Sequence, residues 1–516
     1  METRDVDSRE LAGFGYVQRL DRSLGSFAAF AMSYGFVAVF TAVTAVFFLG
    51  FAAAGPGFVW GYLLAAIPTV LLCLCFAELA GQIPLTGSLY QWTRSLTKSR
   101  LLPWLTGWFF IATLVTVMPV IGPTLQGVLT PVFQDLQFVG GSADIGTSTT
   151  KGGALNAVIL GVVGLMFTTI VNIFGVRWAA RVTTVVVIVE LIVSFIIVVG
   201  FAANIKRGPG VIFESHGTGV AHSTGYLGAL LIAIVAGGYC YFGFESAATM
   251  AEEVRNPRAV APKAVIRALG LVVIVAILFV TLALMAVPDL DAPELGTVGM
   301  PFIYQAVLGK TFSNVVLICI GIAVLGAITA LQATAARVIF AMARNDRLPF
   351  SSHLSRISPR WKTPVVPLLM LGGGGCVLLL LNYSNTRIFS TIAAVGIVLY
   401  YITYLLVVTP MLLARSRGQW PPARQDRYFS LGRWGLAVNV GAVVGTLALI
   451  INIAWPRSFV YGSDHWYLQW GSVTVTALVL LVGLPYYALV IRHRVDAPRP
   501  EHSAATDSTP AASAPT

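Results

Sequence analysis

Charge is scarce in this sequence. Only 11% of its 516 residues are Asp, Glu, Lys or Arg, against roughly a quarter in an average soluble domain. A globule of this size still needs polar cover over its surface. The shortage therefore excludes an ordinary cytosolic enzyme, and the 57% hydrophobic content excludes a disordered scaffold. Cysteine is scarce too. Cys73, Cys75, Cys240, Cys319 and Cys376 form no CxxC pair and lie inside apolar runs, which excludes a disulfide-built secreted domain and makes them small core hydrophobes. No long apolar run contains a histidine, so a His zinc site or an intramembrane His proton relay has no support. There is no P-loop, GxSxG or HExxH sequence and no ATP-binding domain. The expectation is a chain that is not an enzyme, with no catalytic residues, no metal and no cofactor, and with no ATP-driven pumping of its own.

What the sequence has in abundance is apolar runs of 18 residues and more, each long enough to cross a bilayer as helix. The short alternating segments of a membrane β-barrel are missing. The pattern predicts an all-α integral membrane protein with twelve transmembrane helices. They fall at about 27–54, 58–80, 104–130, 154–174, 182–203, 226–250, 268–288, 312–342, 364–382, 388–413, 434–455 and 467–490. No soluble domain interrupts them, no cleavable signal peptide is expected, and the Pro-, Ala-, Ser- and Thr-rich end reads as a disordered tail.

Charge placement sets the expected topology. With the N-terminus inside, 27 of the 33 Lys and Arg residues fall on inner segments and 6 on outer loops. That bias places both termini in the cytoplasm. The net charge of +11 then belongs to inner loops facing anionic lipid, not to a nucleic-acid surface, since there is no basic amphipathic helix and no aromatic–basic RNA motif.

Two spans are too long for a ~30 Å hydrocarbon core. As straight helix, Phe27 to Ala54 would run about 42 Å and Phe312 to Met342 about 46 Å. Strong tilt or a break has to absorb the excess. The two longest loops before span 11, 131–153 and 343–363, occupy equivalent places in two five-span halves on opposite sides of the membrane, as an inverted repeat would give.

Three acidic residues lie within spans, and each is costly there unless buried against partners or water. Glu78, at the inner end of span 2, reads as a pin for a neighbouring helix end. Glu190 sits in Val187-Ile188-Val189-Glu190-Leu191-Ile192-Val193 with nothing polar close by, and reads as a carboxyl able to exchange a proton with a water-filled pathway. Glu245 closes the stretch Gly237-Gly238-Tyr239-Cys240-Tyr241-Phe242-Gly243-Phe244-Glu245 of span 6. Three glycines in seven residues weaken a helix in mid-membrane, and unwound backbone is tolerated there only where it lines a cavity or is buried in protein. Its four aromatics are suited to covering an organic cation or an amino-acid side chain. In span 1, Thr41 and Thr44 flank Ala42-Val43 near the middle. A half-helix beginning there would offer amides and a positive dipole to a carboxylate.

Several segments also resemble one family. The lead-in Gly15-Tyr16-Val17-Gln18-Arg19-Leu20-Asp21-Arg22-Ser23-Leu24, the span 2 exit Phe76-Ala77-Glu78-Leu79-Ala80 and the following Pro84-Leu85-Thr86-Gly87-Ser88-Leu89-Tyr90-Gln91-Trp92 are similar to permeases of the amino acid–polyamine–organocation superfamily, in its amino acid/choline transporter branch. So are Phe242-Gly243-Phe244-Glu245-Ser246-Ala247 running on to Ala251-Glu252-Glu253-Val254-Arg255-Asn256-Pro257, and Arg337-Val338-Ile339-Phe340-Ala341-Met342-Ala343-Arg344-Asn345-Asp346-Arg347-Leu348-Pro349. The resemblance implies a five-plus-five inverted repeat of the LeuT type, with two extra C-terminal helices and alternating access. On that reading 1–26 is a cytoplasmic lead-in, 27–413 the transport core, 414–490 helices 11 and 12, and 491–516 the cytoplasmic tail. Spans 1 and 6 would break at the central site, and spans 3, 8 and 10 would complete it.

Carried over by position, a substrate carboxylate falls on Thr41, Ala42, Val43 and Thr44, and an amine on Tyr239, Cys240, Tyr241, Phe242 and Gly243. Glu190 and Glu245 become the coupling residues. The chain departs from relatives twice: Ala42-Val43-Thr44 replaces a Gly-Ile-Phe type segment, and Glu190 stands where many proton-coupled relatives place a lysine. The expected function is secondary active transport of an amino acid or small organic amine across the cell (plasma) membrane, with a proton as coupling ion. Sodium symport, substrate exchange, and a transporter-like ligand sensor or channel are the alternatives.

Overall fold

The computed structural model describes residues 11–148, 150–218, 225–381, 388–422, 428–461 and 465–494, with the side chains of 381 and 388–393 not described. The regular secondary structure of the described residues is helical apart from one isolated bridge, Leu24 to Val254. Nine helical stretches among them are long and apolar enough to cross a membrane. The first of these, Ser26–Gln82, contains both of the first two spans read from the sequence, and two shorter apolar helices, Tyr226–Tyr239 and Val365–Leu380, accompany the nine. Of the expected tail, 491–516, Ile491–His493 form a 3-10 turn, and 495–516 lie outside the described residues.

The overlong first span is broken, not simply tilted. Helix α1 (Ser26–Val37) and helix α2 (Val39–Ala54) meet at Ala38, which has left-handed backbone angles, φ 46° and ψ 62°. That conformation costs a residue with a Cβ about 1–2 kcal/mol. The break falls three residues before the threonines at which the sequence placed it. It loses little backbone hydrogen bonding, because the Ala38 amide donates to Tyr34 and the Ala38 carbonyl accepts from Ala42. The next helices are α3 (Val59–Gln82), α4 (Ser88–Leu96), α5 (Leu101–Val117) and α6 (Ile121–Leu129). Pro119, in a 3-10 turn, separates α5 from α6.

Then come α7 (Lys151–Ile173), α8 (Val176–Ala203) and α9 (Tyr226–Tyr239). Span 6 stops being helical after Tyr239, runs irregularly through Glu245, and resumes as one turn at Ser246–Thr249. Gly243, at φ +88°, makes this possible. A Cβ there would lie 1.9 Å from the ring of Phe36, so only glycine fits. The two breaks are thus packed directly on each other.

Helices α10 (Pro257–Ala286), α11 (Met300–Leu308), α12 (Lys310–Arg344), α13 (Val365–Leu381), α14 (Ile388–Ser416), α15 (Gly435–Ala454) and α16 (Gly471–Leu489) complete the chain. The overlong span 8 is a single unbroken helix of 35 residues, about 52 Å at 1.5 Å per residue. Its length runs on into Arg337 and Arg344, where its apolar character gives way to buried ion pairs.

The broken helices occupy the middle of the bundle. α1 packs on α8, α10 and α12; α2 packs on α9; and α3 packs on both α9 and α10. Large apolar side chains such as Val163, Phe195, Leu278 and Leu481 face outward, as helices solvated by lipid tails require. Glu78 is fully buried at the end of α3. Its carboxylate accepts from Arg415, from Trp420 Nε1 at 3.0 Å, from Ser430 Oγ at 3.2 Å and from the Leu431 amide at 3.0 Å. This ties α3 to the segment between α14 and α15.

Candidate functional site

A cavity of about 100 Å³ lies at the double break. Its walls come from the Ala38 junction and α2 (Phe36, Ala38, Thr41, Ala42, Ala45), from the α5–α6 junction (Val117, Val120, Ile121, Thr124), from the end of α9 and its unwound continuation (Tyr239, Phe242), from α12 (Val324, Ala327, Ile328, Leu331) and from α14 (Ile397). Two broken helix ends meet it. The N-terminus of α2 brings its first amides, and α9 brings its carbonyl end at Tyr239. First-turn amides and last-turn carbonyls have no partner within their own helix, and they carry partial positive and negative charge respectively. Some of these groups are already spent, the Phe40 amide on Glu190, the Gly237 carbonyl on the Cys240 amide and the Gly238 carbonyl on the Tyr401 hydroxyl; the cavity lies between an amide end and a carbonyl end within an otherwise apolar wall.

Of the residues expected at the site, Thr41, Ala42, Tyr239 and Phe242 line this cavity. Val43, Thr44, Cys240, Tyr241 and Gly243 do not, and each is buried behind it. Thr44 Oγ1 donates to the Phe40 carbonyl at 2.8 Å and lies 2.8 Å from the Tyr304 hydroxyl. The Gly243 amide donates to the Tyr404 hydroxyl at 2.9 Å. Thr41 Oγ1 is buried without a partner, so a polar atom stands uncommitted at the amide end.

Both expected coupling carboxyls are buried, and their surroundings differ. Glu190, 2% exposed on α8, reaches the N-terminus of α2, where its Oε1 accepts from the Phe40 amide at 3.2 Å. Its Oε2 has no partner, and neither do the buried hydroxyls of Thr183 and Ser194 on the same helix and of Tyr34 on α1. Glu245 is fully satisfied. Tyr400 donates to its Oε1 at 2.8 Å and Tyr404 to its Oε2 at 2.5 Å. Because Tyr404 also accepts from Gly243, Glu245 fastens the unwound segment to α14. Neither carboxyl lines the cavity.

Sequence reading missed these partners. The tyrosines of Tyr400-Tyr401-Ile402-Thr403-Tyr404 were a visible signal, three phenols within five residues of an apolar helix. The Phe40 amide gave none, since a backbone donor carries no residue signature.

A second polar cluster gathers four of the quoted motifs at one end of the bundle. Arg337 forms a two-pronged pair with Glu253 at 3.0 and 3.1 Å, and Arg344 does the same with Glu252 at 2.7 and 3.0 Å. The Thr86 amide donates to Glu252 at 3.1 Å. The lead-in joins through the Leu24 amide on the Glu253 carbonyl, at 2.9 Å, and the Tyr16 ring under Arg344, at 3.9 Å.

The profile of the family described as amino acid permease matches residues 24–479. The chain belongs to the amino acid permease family. This permease is 26% identical to the amino-acid permease BAT1 homolog of Oryza sativa subsp. japonica, over 95% of each chain. It is 25% identical to the serine/threonine exchanger SteT of Bacillus subtilis (strain 168), over 70% of this chain and 75% of that protein. With the branched-chain amino acid permease BcaP of the same organism it shares 27% identity over 68% of this chain and 73% of the other. Among solved structures, the manganese transporter of Eremococcus coleocola superposes with a TM-score of 0.55 at 16% identity, covering 90% of this chain and 94% of that one. That likeness is one of fold. The permease is an all-helical, multi-pass membrane protein of a family of amino acid transporters.

Proposed function

We propose that this permease is a secondary active transporter, not an enzyme, that takes up an amino acid or small organic amine by alternating access, driven by protons. The observation that carries this reading is the meeting of two opposite helix ends at one cavity, the α2 amides and the α9 carbonyls. A zwitterion has one charge for each. In the proposal the substrate carboxylate sits on backbone and hydroxyl groups of Thr41–Thr44, shifted toward the Ala38 break. The substrate ammonium sits on the unwound Tyr239–Gly243 segment, whose aromatics cover it.

Glu190 and Glu245 are the coupling residues in this proposal. A carboxyl with one oxygen on the α2 amide and one free suits a group that takes up and releases a proton as the broken helix moves. Glu245 transmits movement of the unwound segment to α14 through Tyr404. We place the protein in the plasma membrane with both termini cytoplasmic, on the strength of the 27-to-6 distribution of positive charge. It has twelve spans: a five-plus-five core over 27–413, helices 11 and 12 over 414–490, a lead-in over 1–26 and a tail over 491–516. Substrate exchange is the second reading, since one relative is a serine/threonine exchanger.

A thermal-stabilisation screen of the purified protein, with amino acids beside amines that lack a carboxylate, tests the proposal. A ligand held only by the folded state stabilises by about 2.7 kcal/mol at one hundred times its Kd. Amino acids are expected to raise the unfolding temperature. Stabilisation by bare amines alone would remove the carboxylate contact. No response to any amino acid or amine would overturn the reading.

A further inference from the structure

We infer that the transported molecule is a neutral amino acid with an apolar side chain, which rests on the cavity being the substrate site as proposed above. The cavity has two kinds of wall. The helix ends at Ala38 and Tyr239 supply backbone polarity for the α-amino and α-carboxylate groups that every amino acid shares. The rest must receive the part that differs. That part meets Val120, Ile121, Val324, Ile328, Leu331 and Ile397, and no Asp, Glu, Lys, Arg or His lines the cavity among the described residues.

The few polar side chains present are uncharged: Tyr239 at the carbonyl end, Thr124 and Thr41. Thr124 spends its hydroxyl on the Val120 carbonyl at 2.7 Å. Thr41 stands at the amide end, beside the backbone groups that a carboxylate would use. The nearby carboxyls are turned elsewhere, Glu190 to the Phe40 amide and Glu245 to Tyr400 and Tyr404. A lysine ammonium, an arginine guanidinium or a second carboxylate would enter this wall with no counter-charge, and an unpaired buried charge is heavily penalised. An aliphatic side chain is favoured by the same wall.

The full-length protein, purified and reconstituted, gives the test. Binding is read by thermal stabilisation, and transport by proteoliposome uptake, for alanine, valine, leucine, isoleucine and phenylalanine against glutamate, lysine, arginine and putrescine. Valine, leucine or isoleucine is expected to bind at least about 100-fold more tightly than any of the charged compounds. Lysine or glutamate binding as well as leucine would overturn the inference while leaving an amino acid permease in place. A protein that no amino acid or amine stabilises would instead overturn the reading beneath it. Ile328→Ala localises the effect: by opening the α12 wall it should raise the phenylalanine-to-valine affinity ratio about tenfold. A variant that folds, unfolds at the wild-type temperature and keeps the wild-type ratio would place the side chain elsewhere.

Discussion

Two of the places where the permease buries carboxylates treat them in opposite ways. At the end of the bundle, Glu252 and Glu253 are each gripped by both prongs of an arginine. At the centre, Glu190 has a single backbone donor and a free oxygen, and α8 and α1 carry further unpaired hydroxyls at Thr183, Ser194 and Tyr34. A fully paired buried cluster is specific and resists rearrangement, whereas an under-satisfied one has capacity left for a proton, a cation or water. The first region therefore joins the lead-in, the Thr86 turn and helix α12 into one unit. The second is where a change of state has somewhere to act.

The largest effect is expected where the paired cluster is cut. Arg337→Ala leaves Glu253 buried and uncompensated, and should destabilise the protein by roughly 3–5 kcal/mol, read as a lower unfolding temperature in detergent. Replacing both partners, Arg337→Met with Glu253→Leu, should recover most of that loss. A single variant as stable as the wild type would mean that the two regions do not differ in the way described.

Gly243 comes next, because it joins the centre to α14. Gly243→Val puts a Cβ 1.9 Å from the Phe36 ring at a residue with φ +88°, and should abolish substrate binding by driving the two breaks apart. Wild-type affinity in that variant would move the site away from span 6. Glu190→Gln should act more selectively. The amide oxygen of glutamine still accepts from the Phe40 amide, so stability should change by no more than about 1 kcal/mol. Uptake should lose its dependence on pH while binding survives in part. A wild-type pH profile would end the coupling role of Glu190.

How much of this was legible in the sequence depends on what kind of atom carries the feature. The apolar runs, the glycine-weakened span 6 and the isolated Glu190 were readable because side-chain composition encodes them. The break in span 1 was expected at Thr41–Thr44 and occurs at Ala38, since alanine has no intrinsic preference for left-handed angles. Its conformation follows from packing, with Phe36 lodged against Gly243. Of the two ways to absorb the excess length of span 8, tilt or a break, the break does not occur: α12 continues unbroken as helix, and its end carries the arginines of the paired cluster. The charged motifs were the most visible part of the chain, and they build that cluster. Apart from Thr41, Ala42, Tyr239 and Phe242, which the sequence marked, the cavity is built mostly from valines, isoleucines and alanines, which announce nothing individually.

The smallest effect sharpens the comparison most finely. Thr41 is the residue whose hydroxyl stands in the cavity wall without a partner. Thr41→Val keeps the shape of the side chain and removes only that hydroxyl. No hydrogen bond within the protein is lost, so stability should stay within about 0.5 kcal/mol of the wild type. If the hydroxyl serves the substrate carboxylate, affinity should fall about five- to tenfold, the range that one hydrogen bond of about 1 kcal/mol or slightly more supplies. Isothermal titration with the best amino acid from the screen measures both affinities directly. A loss of affinity with no loss of stability is the signature of a polar group kept for a ligand. An unchanged affinity would leave recognition of the carboxylate to the α2 backbone alone.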